Sequence, residues 1–99
     1  MNEVAILIKR EYEGAALVET KREVLCGVRS IGMKEFYSAH STDFRPELKL
    51  VLADYLDYND ETLADFKGER YRILRTYRAG QELELTLERA AAEDGEDNG

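Results

Sequence analysis

The sequence predicts a mainly β protein: a small antiparallel β-barrel or sandwich of about six strands, with one short helix or long loop inserted near residues 32–46. Three observations lead there. Leu48, Leu50 and Leu52 alternate with Lys49, Val51 and Ala53, and Leu83, Leu85 and Leu87 with Glu84, Thr86 and Glu88, the two-residue period of a half-buried strand. Turn residues punctuate the chain at short intervals, as at Glu13-Gly14-Ala15 and Lys67-Gly68. The length of 99 residues is that of one domain. Such a domain buries about two-thirds of its unfolded surface and folds with little stability to spare.

In chain order, Val4–Tyr12 reads as the first strand, with Val4, Ile6 and Ile8 on one face, although Leu7 makes its centre apolar on both sides. After the turn at Glu13-Gly14-Ala15, the segment from Ala16 to Arg29 reads extended, with Val18, Thr20, Val24, Cys26 and Val28 sharing one parity. Fourteen residues is long for a strand, so a bulge or bend is expected near Lys21-Arg22, with Gly27 marking a close backbone approach. Gly32-Met33-Lys34-Glu35 has the pattern of a helix start, and Met33, Phe36, Tyr37 and His40 follow at helical spacing. Ser41-Thr42-Asp43 ends that segment, and Arg45-Pro46 forces an extended entry into the strand around Leu48–Leu52. Asp54–Asp60 reads as a loop, Thr62–Phe66 as a short strand, and Lys67-Gly68 as a hairpin turn. Glu69–Arg78 and Glu82–Glu88 form the last hairpin. Residues 1–89 thus make a single domain, and residues 90–99 an acidic tail expected to be disordered.

The last hairpin allows a register argument. A three-residue loop, Ala79-Gly80-Gln81, pairs Tyr77 with Leu83, Ile73 with Leu87, Arg78 with Glu82 and Arg72 with Glu88. Apolar pairs then share the inner face and opposite charges the outer one, which favours this loop over a two-residue one. Arg75 is then directed to the core face opposite Leu85, where an unpartnered guanidinium would be too costly.

The net charge of −7 is unevenly placed. Residues 1–50 hold eight basic and eight acidic side chains, whereas residues 51–99 hold six and thirteen. Non-specific binding of nucleic acid needs basic surface, so the balance argues against that role for the protein as a whole. The single Cys26 leaves no partner for an internal disulfide or a cysteine-based zinc site and suits a reducing compartment. Met1-Asn2-Glu3 lacks the basic flank of a signal peptide, and no apolar stretch approaches the roughly 18 residues of a membrane span, so a soluble protein with no membrane partner is expected.

Catalytic chemistry finds little support. His40 is the only histidine, and its neighbours Ser38, Ser41 and Asp43 lie within six residues of one another. Triads assemble from separate parts of a fold, so a His closing a helix is the better reading. An EF-hand loop starting at Asp57 would put Thr62 where Gly is required and Gly68 where the bidentate Glu is required. The acidic run Asp54, Asp57, Asp60, Glu61, Asp65 is therefore read as a solvated loop, and no metal, cofactor or catalytic residue is assigned. Arg70, Arg72 and Arg78 share one strand face, with Arg75 on the other, a ribbon suited to touching phosphates if Glu82, Glu84 and Glu88 did not neutralise it. Tyr55, Tyr58, Tyr71 and Tyr77 are suited to stacking bases but equally to ordinary strand and interface positions.

Several segments together have a family likeness: Phe36-Tyr37-Ser38-Ala39-His40; Arg45-Pro46-Glu47; Ala53-Asp54-Tyr55-Leu56-Asp57-Tyr58; Lys67-Gly68-Glu69-Arg70-Tyr71-Arg72-Ile73-Leu74-Arg75-Thr76-Tyr77; and Gly80-Gln81-Glu82-Leu83-Glu84-Leu85. Their order, from about Val4 to Glu88, resembles the phage head closure, or head–tail joining (adaptor), proteins of tailed phages and prophages of Gram-positive bacteria. The resemblance implies a small β-barrel or sandwich that assembles as a ring below the portal, at the virion head–tail interface, after forming in the bacterial host cytoplasm. It implies further copies of the chain, a portal or adaptor protein and a tail joining protein as partners, and no catalysis. Neighbouring connector roles, such as an adaptor or a tail-terminator-like protein, fit the same features; a small-barrel nucleic-acid-binding module fits them less well. A net acidic chain repeated around a ring would make a negative annulus, through which genomic DNA passes without specific binding.

The segment Ser30–Pro46 is expected to be the functional insertion, because the stripe Met33, Phe36, Tyr37 is too apolar to stay exposed on a lone monomer. An interface between subunits and a cap on the barrel core both satisfy it. Candidate interface residues are therefore Met33, Phe36, Tyr37 and His40, with Arg70, Arg72 and Arg78 on the last hairpin.

Overall fold

The computed structural model describes residues 2–31 and 46–90. Six strands, β1 (Glu3–Glu13), β2 (Ala16–Arg29), β3 (Pro46–Leu52), β4 (Leu63–Phe66), β5 (Glu69–Ala79) and β6 (Glu82–Arg89), are joined between β3 and β4 by a loop carrying a 3-10 turn at Tyr55–Asp57. All pairings are antiparallel, and the strands close on themselves in the order β1-β2-β3-β6-β5-β4. Closure rests on three rungs between β1 and β4, from Ile6 opposite Asp65 to Ile8 opposite Leu63. A closed sheet has few open edges to invite pairing with other chains.

Two-residue turns make three of the connections. Lys67 and Gly68 both take positive φ (51° and 81°), the twist that suits a tight hairpin between right-twisted strands. Gly14-Ala15 and Gly80-Gln81 place the glycine alone at positive φ (66° and 64°).

The core lies inside the barrel. Ala5, Leu7, Val24, Cys26, Leu50, Leu52, Ala64, Phe66, Tyr71, Leu83, Leu85 and Leu87 form one buried cluster, with Leu48, Tyr55, Tyr58 and Ile73 packed against it. In β3 and β6 the leucines face inward as the sequence predicts, but the strands are not simply half-buried: Val51, Thr86 and Glu88 on the opposite face are buried as well. In β1 the parity is reversed: Ala5 and Leu7 face inward, whereas Val4, Ile6 and Ile8 lie on the outer wall. All five residues from Val4 to Ile8 are apolar, so the local pattern could not choose a face. Val24 and Cys26 are buried as their parity predicts, whereas Val28 is exposed at the end of the sheet. Burial raises the Cys26 thiol above its ordinary pKa.

The bulge expected near Lys21-Arg22 is absent. β1 and β2 pair without a slip from Glu3 opposite Cys26 to Glu13 opposite Ala16. The length of β2 is used differently. β4 covers β1 only as far as Ile8, and β3 covers β2 only from Cys26 onward. Five rungs, from Lys9 opposite Thr20 to Glu13 opposite Ala16, therefore continue past the closed part of the barrel as a two-stranded ribbon. At about 3.4 Å per residue the ribbon is roughly 17 Å long, in keeping with a long dimension of 42 Å against 31 and 23 Å.

The bulge lies instead in β5. Arg72 stands opposite Glu88 and Ile73 opposite Leu87, as expected, but the register shifts between Ile73 and Arg75. Beyond the shift Arg75 faces Thr86, Thr76 faces Leu85, Tyr77 faces Glu84, Arg78 faces Leu83 and Ala79 faces Glu82. The loop is therefore the two-residue Gly80-Gln81 rather than Ala79-Gly80-Gln81. The extra residue, Leu74, reconciles the predicted far half of the hairpin with a tighter turn. It also turns Arg75 to the outer wall, away from the core face expected for it, and brings Arg78 to the inner side.

Candidate functional site

Three features converge where the ribbon leaves the barrel: the ribbon, the loop between β3 and β4, and the β5–β6 turn. The loop is held by its own polar groups. Asp54 caps the 3-10 turn, its carboxylate accepting from the Leu56 amide at 2.9 Å and from the Gln81 side-chain amide at 2.8 Å. The Tyr55 amide donates to the Gln81 carbonyl at 2.8 Å, fastening the loop to the β5–β6 turn. The Arg78 guanidinium lies over the Tyr55 ring, 3.4 Å from its centroid, and its Nε donates to the Gly80 carbonyl.

The far half of the loop is tied to β2. Arg22 Nε donates to the Glu61 carboxylate at 3.0 Å, and Arg22 Nη2 donates to the Asp57 carbonyl. Glu61 is 2% exposed, and its second oxygen accepts from the Asn59 amide at 2.6 Å. The Tyr58 hydroxyl donates to the Glu61 carbonyl at 2.7 Å. Burial, with Asp60 and Glu61 nearby, raises the Tyr58 phenol above its ordinary value. The Thr62 amide donates to the Ile8 carbonyl, and the Ile73 amide to the Thr62 carbonyl, so the loop joins β1, β2 and β5 at one point. Thirty-nine residues separate Arg22 from Glu61, and neither lies in a recognisable motif, so local sequence carries no signal for this clasp.

The ribbon itself is exposed. Tyr12 and Leu17 stand opposite each other near its tip, 73% and 54% exposed. Arg10 and Glu19 form a cross-strand pair at 2.8 Å below them. This hydrogen bond lowers the Glu19 carboxyl below its ordinary range against the opposing effect of burial, helped by the charges of Arg10, Lys21 and Arg70.

The outer wall carries ordered charge. One row runs Ile8, Leu63, Arg72, Glu88 across four strands, and the next runs Ile6, Asp65, Arg70. Arg70 binds Asp65 through two nitrogens, at 2.5 and 3.0 Å, and Arg72 binds Glu88. Glu84 bridges Arg29 and Lys49, at 2.7 and 3.4 Å, and Glu82 lies 3.7 Å from Arg29. Of the β5 arginines, Arg72 is thus matched by Glu88, as expected, and Arg70 by Asp65, whereas Glu82 and Glu84 serve β2 and β3.

Of the candidate interface residues, Arg70 and Arg72 share the outer wall with Arg75, whereas Arg78 lies on the inner side, contrary to the face expected for it. Met33, Phe36, Tyr37 and His40 lie outside the described residues. The four tyrosines do not share a surface: Tyr71 is in the core, Tyr55 lies under Arg78, Tyr58 is bonded to Glu61, and Tyr77 is exposed on the outer wall. The acidic run is likewise dispersed, with Asp54 on the 3-10 turn, Glu61 on Arg22 and Asp65 on Arg70. Among the described residues no group of three or more His, Cys, Asp or Glu side chains is placed to hold a metal ion. No described helix is long and apolar enough to cross a membrane. No protein-family model matches the chain, and no curated protein matches it in sequence.

Proposed function

We propose that the chain is a structural component of a phage connector, a head closure or head–tail joining protein that forms a ring between the portal–adaptor assembly and the tail. The order of motifs between Val4 and Glu88 is the first support for this reading. The observation that carries it furthest is the ribbon. Five rungs of sheet lie beyond the barrel and present Tyr12 and Leu17 to solvent, although neither residue belongs to the buried cluster. An exposed aromatic and leucine pair on a projecting arm is the composition of a contact surface. Small single domains gain stability from neighbours in a closed ring, and the acidic balance would let DNA pass such a ring without adhering.

The test is a deletion of the coding sequence in the encoding phage or prophage, followed by electron microscopy of the particles and mass spectrometry of intact virions. Wild-type virions should contain the protein, and the deletion should give DNA-filled heads that leak or remain tailless. Normal tailed particles without the protein would overturn it. So would turnover of a substrate by the purified chain at a definable pocket.

A further inference from the structure

We infer that the Arg22–Glu61 clasp is a positioning device that sets the direction of the β1–β2 ribbon relative to the barrel. The ribbon has no second layer of sheet among the described residues: β4 stops at Ile8, and β3 begins opposite Cys26. A two-stranded ribbon twists and bends readily unless its base is held. Arg22 is at that base. It stands opposite Leu7, one rung inside the last contact of β1 with β4, and shares the inward parity of Val24 and Cys26. Its side chain turns to the loop that closes this end of the barrel and makes two contacts there, with the Glu61 carboxylate and the Asp57 carbonyl.

The loop is a firm anchor. Tyr58 and Asn59 fix Glu61 from its carbonyl and its carboxylate, and Thr62 joins the loop to Ile8 on the other strand of the ribbon. Both strands are therefore held by one six-residue stretch, Asp57–Thr62. A planar guanidinium reaches a carboxylate and a carbonyl together with a fixed geometry, which a lysine ammonium does not reproduce. The clasp controls where Tyr12 and Leu17 are presented, whatever they meet, so the inference stands apart from the connector reading.

The experiment is backbone NMR of the full chain and of Glu61→Gln, Arg22→Lys and, as a control at a different ion pair, Arg29→Gln. Residual dipolar couplings report the ribbon's mean direction, and relaxation its faster motion. In the parent protein, ribbon amides of residues 9–20 should fit the alignment tensor of the barrel, with order parameters of about 0.85. In Glu61→Gln and Arg22→Lys they should depart from that tensor, with order parameters falling toward about 0.6, while barrel amides keep their values. Arg29→Gln should leave the ribbon unchanged. Ribbon couplings that still fit the barrel tensor in either folded clasp variant would overturn the inference, as would an equal departure in Arg29→Gln. If Glu61→Gln does not fold, Arg22→Lys decides alone, because it keeps a cation beside the buried carboxylate.

Discussion

Arg72 stands directly across from Glu88 on the outer wall, and the two side chains are joined by a salt bridge although Glu88 is only 6% exposed. A buried carboxylate that loses its charged partner keeps its desolvation cost, about 1–3 kcal/mol. Arg72→Met retains the aliphatic stem and removes the charge, so it should destabilise the protein by about that amount. Arg29→Met, at the more exposed bridge to Glu84, should cost less than about 1 kcal/mol. Urea denaturation with an unchanged slope measures both, and equal losses would show that burial of Glu88 does not govern the pair.

Acid should weaken the ribbon through Glu19. Its carboxyl is lowered from 4.5 chiefly by the hydrogen bond from Arg10. A carboxyl with a depressed folded-state pKa contributes stability that is full above its unfolded value and is lost as pH falls through the folded one. The contribution is therefore present above pH 4.5 and fades below it. Carboxyl NMR titration of Arg10→Gln should show Glu19 moving up toward its ordinary value, with a shallower loss of ribbon protection in acid. An unmoved Glu19 would assign the shift to Lys21 and Arg70 instead.

Leu85 and Tyr77 are both large residues of the last hairpin, but they stand on opposite sides of it. Leu85 is fully buried among the inner leucines, and Tyr77 is 65% exposed. Leu85→Ala should cost about 2–5 kcal/mol. Tyr77→Ala should stay within about 0.5 kcal/mol in the isolated protein. Thermal and urea unfolding distinguish them. Without the shift at Leu74, Tyr77 would face inward opposite Leu83, so a large loss for Tyr77→Ala would refute the observed register.

Among the described residues, nothing beyond Gly80 and its two chain neighbours lies within 4 Å of the place a Cβ would occupy there, yet its φ is +64°. Gly80→Ala therefore isolates backbone strain from steric clash. It should cost about 1–2 kcal/mol, the penalty of a left-handed conformation for an L-residue. Calorimetry should show a lower Tm, with cross-strand contacts from Ala79 to Glu82 retained in NMR spectra. An unchanged Tm would mean that the turn relaxes to another geometry.

What the sequence by itself determined was the local chemistry. The leucine alternations of β3 and β6, the hairpin at Lys67-Gly68 and the pairing of Arg72 with Glu88 each follow from residues within one strand pair, where pleat and turn preference decide the outcome. Tertiary structure decided what those rules leave degenerate. In β1, apolar on both faces, the inward side was chosen by closure, which lines Leu7 up with Ala64 and Tyr71 around the barrel. In β5 the shift at Leu74 lets a two-residue turn and an outer Arg72–Glu88 pair coexist, and it exchanges the faces expected for Arg75 and Arg78. The Arg22–Glu61 clasp joins residues thirty-nine apart, and only the closed barrel brings them together. Side-chain preferences act over a few residues, whereas inside and outside are properties of the whole ring of strands.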